Sequence, residues 1–189
     1  MILDKGVNYM QQWKVTTISN VCEKIYSGGT PRKNNVAFYN NGEIPWLNTG
    51  EIVFNRIYST EHFITEEGLN NSSAKWVPIN SVIVAMYGAT AGRVAITKVP
   101  LTTNQACCNL IVDDNIADYR YVYYYLCSRY SYLSSLANGG AQQNLNAGQI
   151  KNFNIPCPPI EIQRKIANVL SAIDDLIDVN SQINKNLVA

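Results

Sequence analysis

Two short glycine-bearing strings set small, hydrogen-bonding and cationic residues side by side. The first runs Gly28, Gly29, Thr30, Pro31, Arg32, Lys33, and the second runs Gly88, Ala89, Thr90, Ala91, Gly92, Arg93. Glycine lets a backbone approach a phosphate closely and present its N–H groups, while an adjacent cation supplies charge. Gly28, Gly29, Thr30, Arg32, Lys33, Gly88, Thr90, Gly92 and Arg93 are therefore candidate contacts to a nucleic-acid backbone. A plain tight turn at each place is the competing reading. Amides stand around these strings: Asn34, Asn35, Asn48, Asn104, Gln105, Gln142, Gln143 and Asn144. Asn and Gln pair bidentately with adenine in the major groove, so these residues, together with Tyr87, are candidates for base readout. Amides also stabilise turns, which is their commoner use.

Other chemistry is missing. No GxxxxGK[ST] phosphate cradle and no GxSxG nucleophile elbow occur, and His62 is the lone histidine. A methyltransferase-type Asn/Asp-Pro-Pro-aromatic motif is approached only superficially by Ile155-Pro156-Cys157-Pro158-Pro159, and no nuclease-type acidic residue followed by Glu-x-Lys stands out. Cys22, Cys107, Cys108, Cys127 and Cys157 form no CxxC pair, so they read as small buried apolar residues in a reducing compartment rather than as zinc ligands. The expectation is a chain that binds rather than catalyses, with no metal or cofactor of its own.

Net charge is +1, from 15 Lys+Arg against 14 Asp+Glu. That balance argues mildly against nucleic acid, unless the cations gather on one face or a partner neutralises phosphates as well. Hydrophobic residues make up 47% of the chain, enough for a full core, yet no run approaches a membrane span. Residues Met1–Trp13 lack a signal-peptide pattern, which points to the cytoplasm.

The candidates must be carried by a mainly β frame. Residues 12–27 read as strand, short helix around Ile18–Cys22, and strand. Further strands are expected at Ile44–Leu47, Ile52–Ile57, Val82–Tyr87, Arg93–Thr97, Ala106–Val112 and Ile150–Ile155, with a short helix at Glu66–Ser73. Asp118 can cap a helix reaching about Ala137, with Val122, Leu126, Leu133 and Leu136 on one face. Tyrosines at 119, 121, 123, 124, 125, 130 and 132 crowd that helix, available for base stacking or for aromatic packing. After Pro156, Pro158 and Pro159 the period changes again. Ile162, Ile166, Val169, Ile173, Leu176, Asn180, Ile183 and Leu187 step by four and three, the a/d pattern of a coiled-coil seam. A helix from about 160 to 188 is roughly 43 Å long and needs a partner for this stripe. The fold class expected is α/β (α+β), with a globular domain over 1–157 and a long coiled-coil helix over 158–189.

Six strings, in this order and spacing, carry a family resemblance: Ser27–Pro31, Ile44–Ile52, Val82–Ile96, Thr103–Ala106, Gln142–Asn146 and Ile155–Ala167. Together they resemble the DNA specificity (S) subunit of Type I restriction–modification systems, from about residue 12 to the C-terminus. The resemblance implies a target-recognition domain followed by a spacer helix. It also implies a non-catalytic subunit that binds double-stranded DNA and works with methyltransferase (M) and restriction/translocase (R) subunits, to which S-adenosylmethionine and ATP belong. Family members resemble this unit twice over, each domain reading half of a bipartite site. This chain carries one unit, so either a half-length subunit acting as a homodimer or a fragment of a longer gene is expected. If the shared strings position the backbone, the stretches around 32–43, 54–76 and 87–92 should hold much of the base readout. Two rivals remain: the recognition part of a split or fused methyltransferase-nuclease, and a non-catalytic interaction module whose helix packs on an unrelated protein.

Overall fold

A computed structural model describes residues 13–137 and 144–187, without the side chains of Ser181, Gln182, Lys185, Asn186 and Leu187. The described part opens with strands β1 (Val15–Thr17), β2 (Cys22–Ser27), β3 (Ile44–Leu47), β4 (Asn55–Ile57) and β5 (Phe63–Ile64), then a short helix α1 (Glu66–Asn70). Strands β6 (Trp76–Val77), β7 (Val82–Ala85), β8 (Val94–Thr97), β9 (Leu101–Thr103) and β10 (Cys107–Val112) follow. Helices α2 (Tyr119–Ser128), α3 (Tyr130–Ala137) and α4 (Ala147–Lys151), strand β11 (Asn154–Pro156) and helix α5 (Ile160–Leu187) complete it.

A five-stranded sheet of order β2-β10-β7-β8-β4 forms the centre. Its middle strands alternate between two cores, as the period of a strand requires. Val82, Val84, Val94, Ile96, Cys108 and Leu110 face Val122, Leu126, Leu133 and Ile150 of the helices. Ile83, Ala85, Ala95 and Cys107 face Leu47, Ile52, Val77 and Leu101, on or beside a four-stranded sheet of order β5-β3-β9-β6. Burial on both faces explains the unbroken apolar run Val82–Ala85, which shows no polar side. Packing against the helix-side core also accounts for three cysteines: burial pushes the thiols of Cys22, Cys108 and Cys127 up to about 12.

Three expectations change. The helix expected from Asp118 to Ala137 is two helices, broken at Arg129, whose φ and ψ are −101° and 11°. Ser128 Oγ donates to the Tyr125 carbonyl (2.7 Å), competing with the helical ladder at that point. The strand expected at Ile150–Ile155 starts instead as the end of helix α4, turns at Asn152, and is extended only from Asn154, in β11 paired to β1. A capping box starts α4: Asn146 Oδ1 accepts from Gln149 N and Gln149 Oε1 from Asn146 N, both at 2.9 Å. The strand expected at Ile52–Ile57 is confined to β4, which pairs parallel with β8.

Helix α5 lies parallel to α2. Asp118 meets Gln163, Arg120 meets Asn168, and Tyr124 meets Ser171 and Asp174. The side turned to the domain carries Gln163, Ala167, Ser171 and Asp174, whereas Val169, Ile173, Leu176 and Ile183 are 49–64% exposed. The apolar stripe is thus not folded back on its own domain beyond its first turns. Among the described residues, no helix is long and apolar enough to cross a membrane.

Candidate nucleic-acid interface

Strand register brings most of the distant motifs to one end of the sheets. Ser27, the last residue of β2, pairs next to the start of β10, and Cys107 at that start pairs with Ala85, the last residue of β7. The chain leaving β7 continues the ladder: Met86 N donates to the Ala106 carbonyl (2.8 Å), and Leu145 N to the Met86 carbonyl (2.7 Å). Tyr87 then forms a bridge with Asn144. On the neighbouring sheet Leu47 pairs with Thr103, and Asn104 N donates to the Leu47 carbonyl (3.0 Å). Five loops therefore meet at this end: 28–35, 48–51, 87–93, 104–106 and 144–146.

Within that set the structure separates scaffold from surface. Gly28 and Gly29 are buried, and their N–H groups donate to the carbonyls of Cys107 (3.3 Å) and Thr103 (2.8 Å). A Cβ on Gly28 would collide with the Thr103 and Asn104 carbonyls, and one on Gly29 with the Ser73–Ala74 backbone. The N–H groups of these two glycines are already taken within the chain, and the missing side chains let this loop lie directly against the 103–104 and 73–74 backbones. Gly92 is also inside, at φ +86°, with its N–H donated to the Ala85 carbonyl (2.8 Å). Gly88 differs. It is exposed at φ +69°, with nothing near the position a Cβ would take. Thr90 Oγ1 donates to the Tyr87 carbonyl (3.3 Å), holding this tight turn.

The amides divide in the same way. Asn104 Nδ2 donates to Asn48 Oδ1 (2.9 Å), while Asn104 Oδ1 accepts from Ala106 N (3.0 Å), so this pair ties two loops together. Asn35 caps a helical turn by accepting from Ala37 N (3.2 Å). Exposed Gln105 accepts a hydrogen bond from Thr30 Oγ1, joining the first and fourth loops. Asn34 and Tyr87 are exposed, and Asn144 has the Tyr87 bridge. Gln142 and Gln143 lie outside the described residues. Arg32 and Lys33 are exposed and Arg93 half-buried; among the described residues every ion pair is made by Arg56 or Arg120 instead. The convergent end thus presents three cations with no carboxylate partner among the described residues, beside an open glycine turn and an exposed tyrosine.

The tyrosines serve the opposite purpose. Tyr121 and Tyr125 donate to the carbonyls of Pro156 (2.9 Å) and Asn154 (3.0 Å), and Tyr124 to Asp174 Oδ2 (2.6 Å). Burial pushes the Tyr121 hydroxyl up to about 12. They are struts between α2, β11 and α5, which is the packing role.

Three residues that motif reading passed over hold α5. Fully buried Gln163 accepts from Asp118 N (3.1 Å) and donates to the carbonyls of Ile116 (3.2 Å) and Pro158 (2.9 Å). Arg120 forks onto Asp118 and donates to Asn168 Oδ1 (2.8 Å). Burial alone would raise the Asp118 carboxyl; the bonds from Arg120 overcome it and hold the group below the usual carboxylate range. Arg56, inside the stretch expected to read bases, turns instead to α5 and meets Asp174, Asp175 and Asp178. A long polar side chain placed in or next to an apolar segment was the available signal for Gln163 and Arg56.

Comparison with known proteins now decides the family. The model of the Type I restriction modification DNA specificity domain matches residues 10–189. The chain belongs to that family. It is 34% identical to the specificity subunit of the Escherichia coli Type I restriction enzyme EcoR124I/EcoR124II, over 87% of this chain and 41% of that subunit. Against the Methanocaldococcus jannaschii MjaIX specificity subunit the identity is 32%, over 94% of this chain and 41% of the relative. The specificity domain here therefore spans about 41% of the length of these curated relatives. In fold it is similar to the S subunit of the M. genitalium Type I system, with a TM-score of 0.64 at 22% identity, over 93% of this chain and 41% of that one.

Proposed function

We propose that this specificity domain reads one half of a bipartite double-stranded DNA site, without catalysis of its own, and that two copies pair through α5. The observation that carries the reading is the convergence of the motif loops at one end of the sheets, where Arg32, Lys33 and Arg93 have no carboxylate partner among the described residues. Those cations and the Gly88 turn contact phosphates. Gln105, Asn34, Tyr87 and the Gln142–Asn144 segment offer groups to base edges. Asn48 and Asn104 hold loop geometry instead. The methyl donor and ATP bind methyltransferase and restriction partners in the cytoplasm, and this chain supplies the address. Family membership favours this reading over a fused enzyme or an unrelated interaction module.

Pairing through α5 is supported by the outward seam of Val169, Ile173, Leu176 and Ile183. Full burial of each such side chain is worth roughly 1.5–3 kcal/mol, and two chains contribute. That sum can offset an association cost of about 4–15 kcal/mol. Asn180 at a core position of the seam sets register, since a slipped pair would bury its amide unpartnered. Antiparallel pairing puts the two reading ends under a two-fold axis, so the site becomes an interrupted palindrome. This ruler of paired helices is the coiled coil, and the domain boundary near residue 157 is where it begins.

Methylome sequencing after co-expression with the cognate methyltransferase tests the whole reading: an inverted repeat around a fixed gap is expected. Two different halves specified by this chain alone would overturn the homodimer. Replacing Ile173 and Leu176 with Asp should convert a dimer to a monomer by light scattering and abolish the bipartite site; a wild-type mass near 21.1 kDa at high concentration would also sink the pairing.

A further inference from the structure

We infer that Arg56 is a positioning residue: it fixes the angle at which α5 leaves the domain, and through that angle the gap between half-sites. The part concerning the gap rests on the paired reading above; the part concerning the angle does not.

Arg56 sits on β4, the edge strand of the central sheet, where Asn55, Arg56 and Ile57 pair with Ala95, Ile96 and Thr97. Its backbone is therefore part of the rigid sheet. Its side chain is only 13% exposed and crosses to α5. There Nη2 donates to the Ser171 carbonyl (3.2 Å) and lies 4.0 Å from Asp174; Nη1 pairs with Asp175 and lies 3.6 Å from Asp178. Tyr124 reaches the same cluster through Asp174 (2.6 Å). One guanidinium thus spans two turns of the helix.

The placement makes this contact a clamp and not a second root. The root is Gln163, buried against Pro158, Ile116 and Asp118. Asp178 lies 15 residues further on, about 22 Å along the axis, and the last helical residue about 36 Å. A hinge at the root, with contacts along α2 that reach only as far as Asp174, would let the far end swing. A tilt of about 5° moves that end by about 3 Å, close to the roughly 3.4 Å rise of one base pair. Asp174, Asp175 and Asp178 also crowd three negative charges onto one side of the helix. Like charges at this spacing repel each other. With Arg56 present they are drawn to the sheet edge; without it only the Tyr124 hydroxyl on Asp174 remains, no cation among the described residues balances the three, and α5 moves away from β4.

Spin labels on noncanonical residues at the exposed positions Glu23 and Asn184, diluted into unlabelled full-length protein, report the angle directly. Wild type should give one narrow distance. Arg56→Ala should broaden or shift it by about 3 Å, the displacement of a 5° swing. Asp175→Lys attacks the same clamp from a side chain that is 64% exposed and leaves the core intact, so it covers the case in which Arg56→Ala does not fold. An unchanged distribution in either folded variant overturns the inference. The second arm uses duplexes carrying the motif recovered from the methylome, with the gap varied by one base pair, and protein assembled with its methyltransferase. Simultaneous engagement of two half-sites gives wild type a gap preference on the order of 100-fold, and loosening the clamp should cut it about tenfold. Uniform weakening at every gap would mean a merely structural role and overturns the inference. A wild type indifferent to the gap removes the bipartite reading, while the distance arm still decides the clamp.

Discussion

The convergent loop end and the α2–α5 junction are built from the same residue types and use them in opposite ways. At the junction Arg56 and Arg120 are drawn into carboxylates, and Gln163 satisfies an N–H and two carbonyls at once. At the loop end Arg32, Lys33 and Arg93 enter no ion pair among the described residues, Asn34 is exposed, and Gln105 is exposed with its amide N–H groups beyond the Thr30 bond. Polar groups already satisfied inside the chain hold parts together. Groups left facing water can be given to a partner with little further desolvation. The difference teaches that an amide or a cation acquires its role from what already occupies its donors.

That contrast can be broken by substitutions on each side. The largest effect is expected at the junction. Gln163→Leu keeps the volume but strands the Asp118 N–H and the Ile116 and Pro158 carbonyls. At roughly 1–3 kcal/mol for each stranded group, the loss should reach about 3 kcal/mol or more. A chain of this length should then melt about 6–12 °C lower in a thermal unfolding scan. Wild-type stability in that variant would mean the junction is not a fixed root.

The glycines give a comparison within one residue type. Gly28→Ala drives a Cβ into two backbone carbonyls, at the upper end of the about 1–3 kcal/mol that overpacking costs. Gly88→Ala meets open space and bears only the left-handed backbone, about 1 kcal/mol. Denaturant titrations of the two variants should rank them in that order. Equal losses would contradict the assignment of one glycine to packing and the other to an open turn.

The smallest effect on stability belongs to the cations. Arg32→Ala, Lys33→Ala and Arg93→Ala should each change folding by no more than about 0.5 kcal/mol. Each should weaken binding to all duplexes alike and lower the salt slope of binding by about 1. Sequence-selective loss from any of them would move that residue from phosphate contact to base readout. No salt-dependent change would remove it from the interface.

Much of the frame was legible in the residues. The spans of β3, β7, β8 and β10 and the start of α5 after the proline cluster follow from apolar runs and from the rigid φ of proline, which are local properties. The short strands β5, β6 and β9 were not legible, because pieces of two or three residues carry no period. Helix α4 escaped because its apolar content is small, although its Asn146–Gln149 box announces it. The structure brings the loops that carry most of the described candidate contacts to one end, a convergence that residue order alone does not state. Nor does residue order distinguish Gly28 from Gly88, or Asn104 from Asn34.

What the sequence by itself determined is the family, the continuous apolar runs of the central strands, and the a/d spacing along α5. The last two depend on residue order along a few turns or one strand, the family on the order of its strings along the whole chain, and no distant contact alters any of them. Tertiary structure alone decided which polar groups remain available. Asn104 is spent because the parallel pairing of β3 with β9 brings Asn48 beside it, and Gly28 is enclosed because Thr103 crosses above it. Arg56 is a clamp because β4 lies next to α5, 115 residues later in the chain at Ser171. The physical reason is the same in each case: a hydrogen-bonding group has few donors and acceptors, and long-range register determines who takes them.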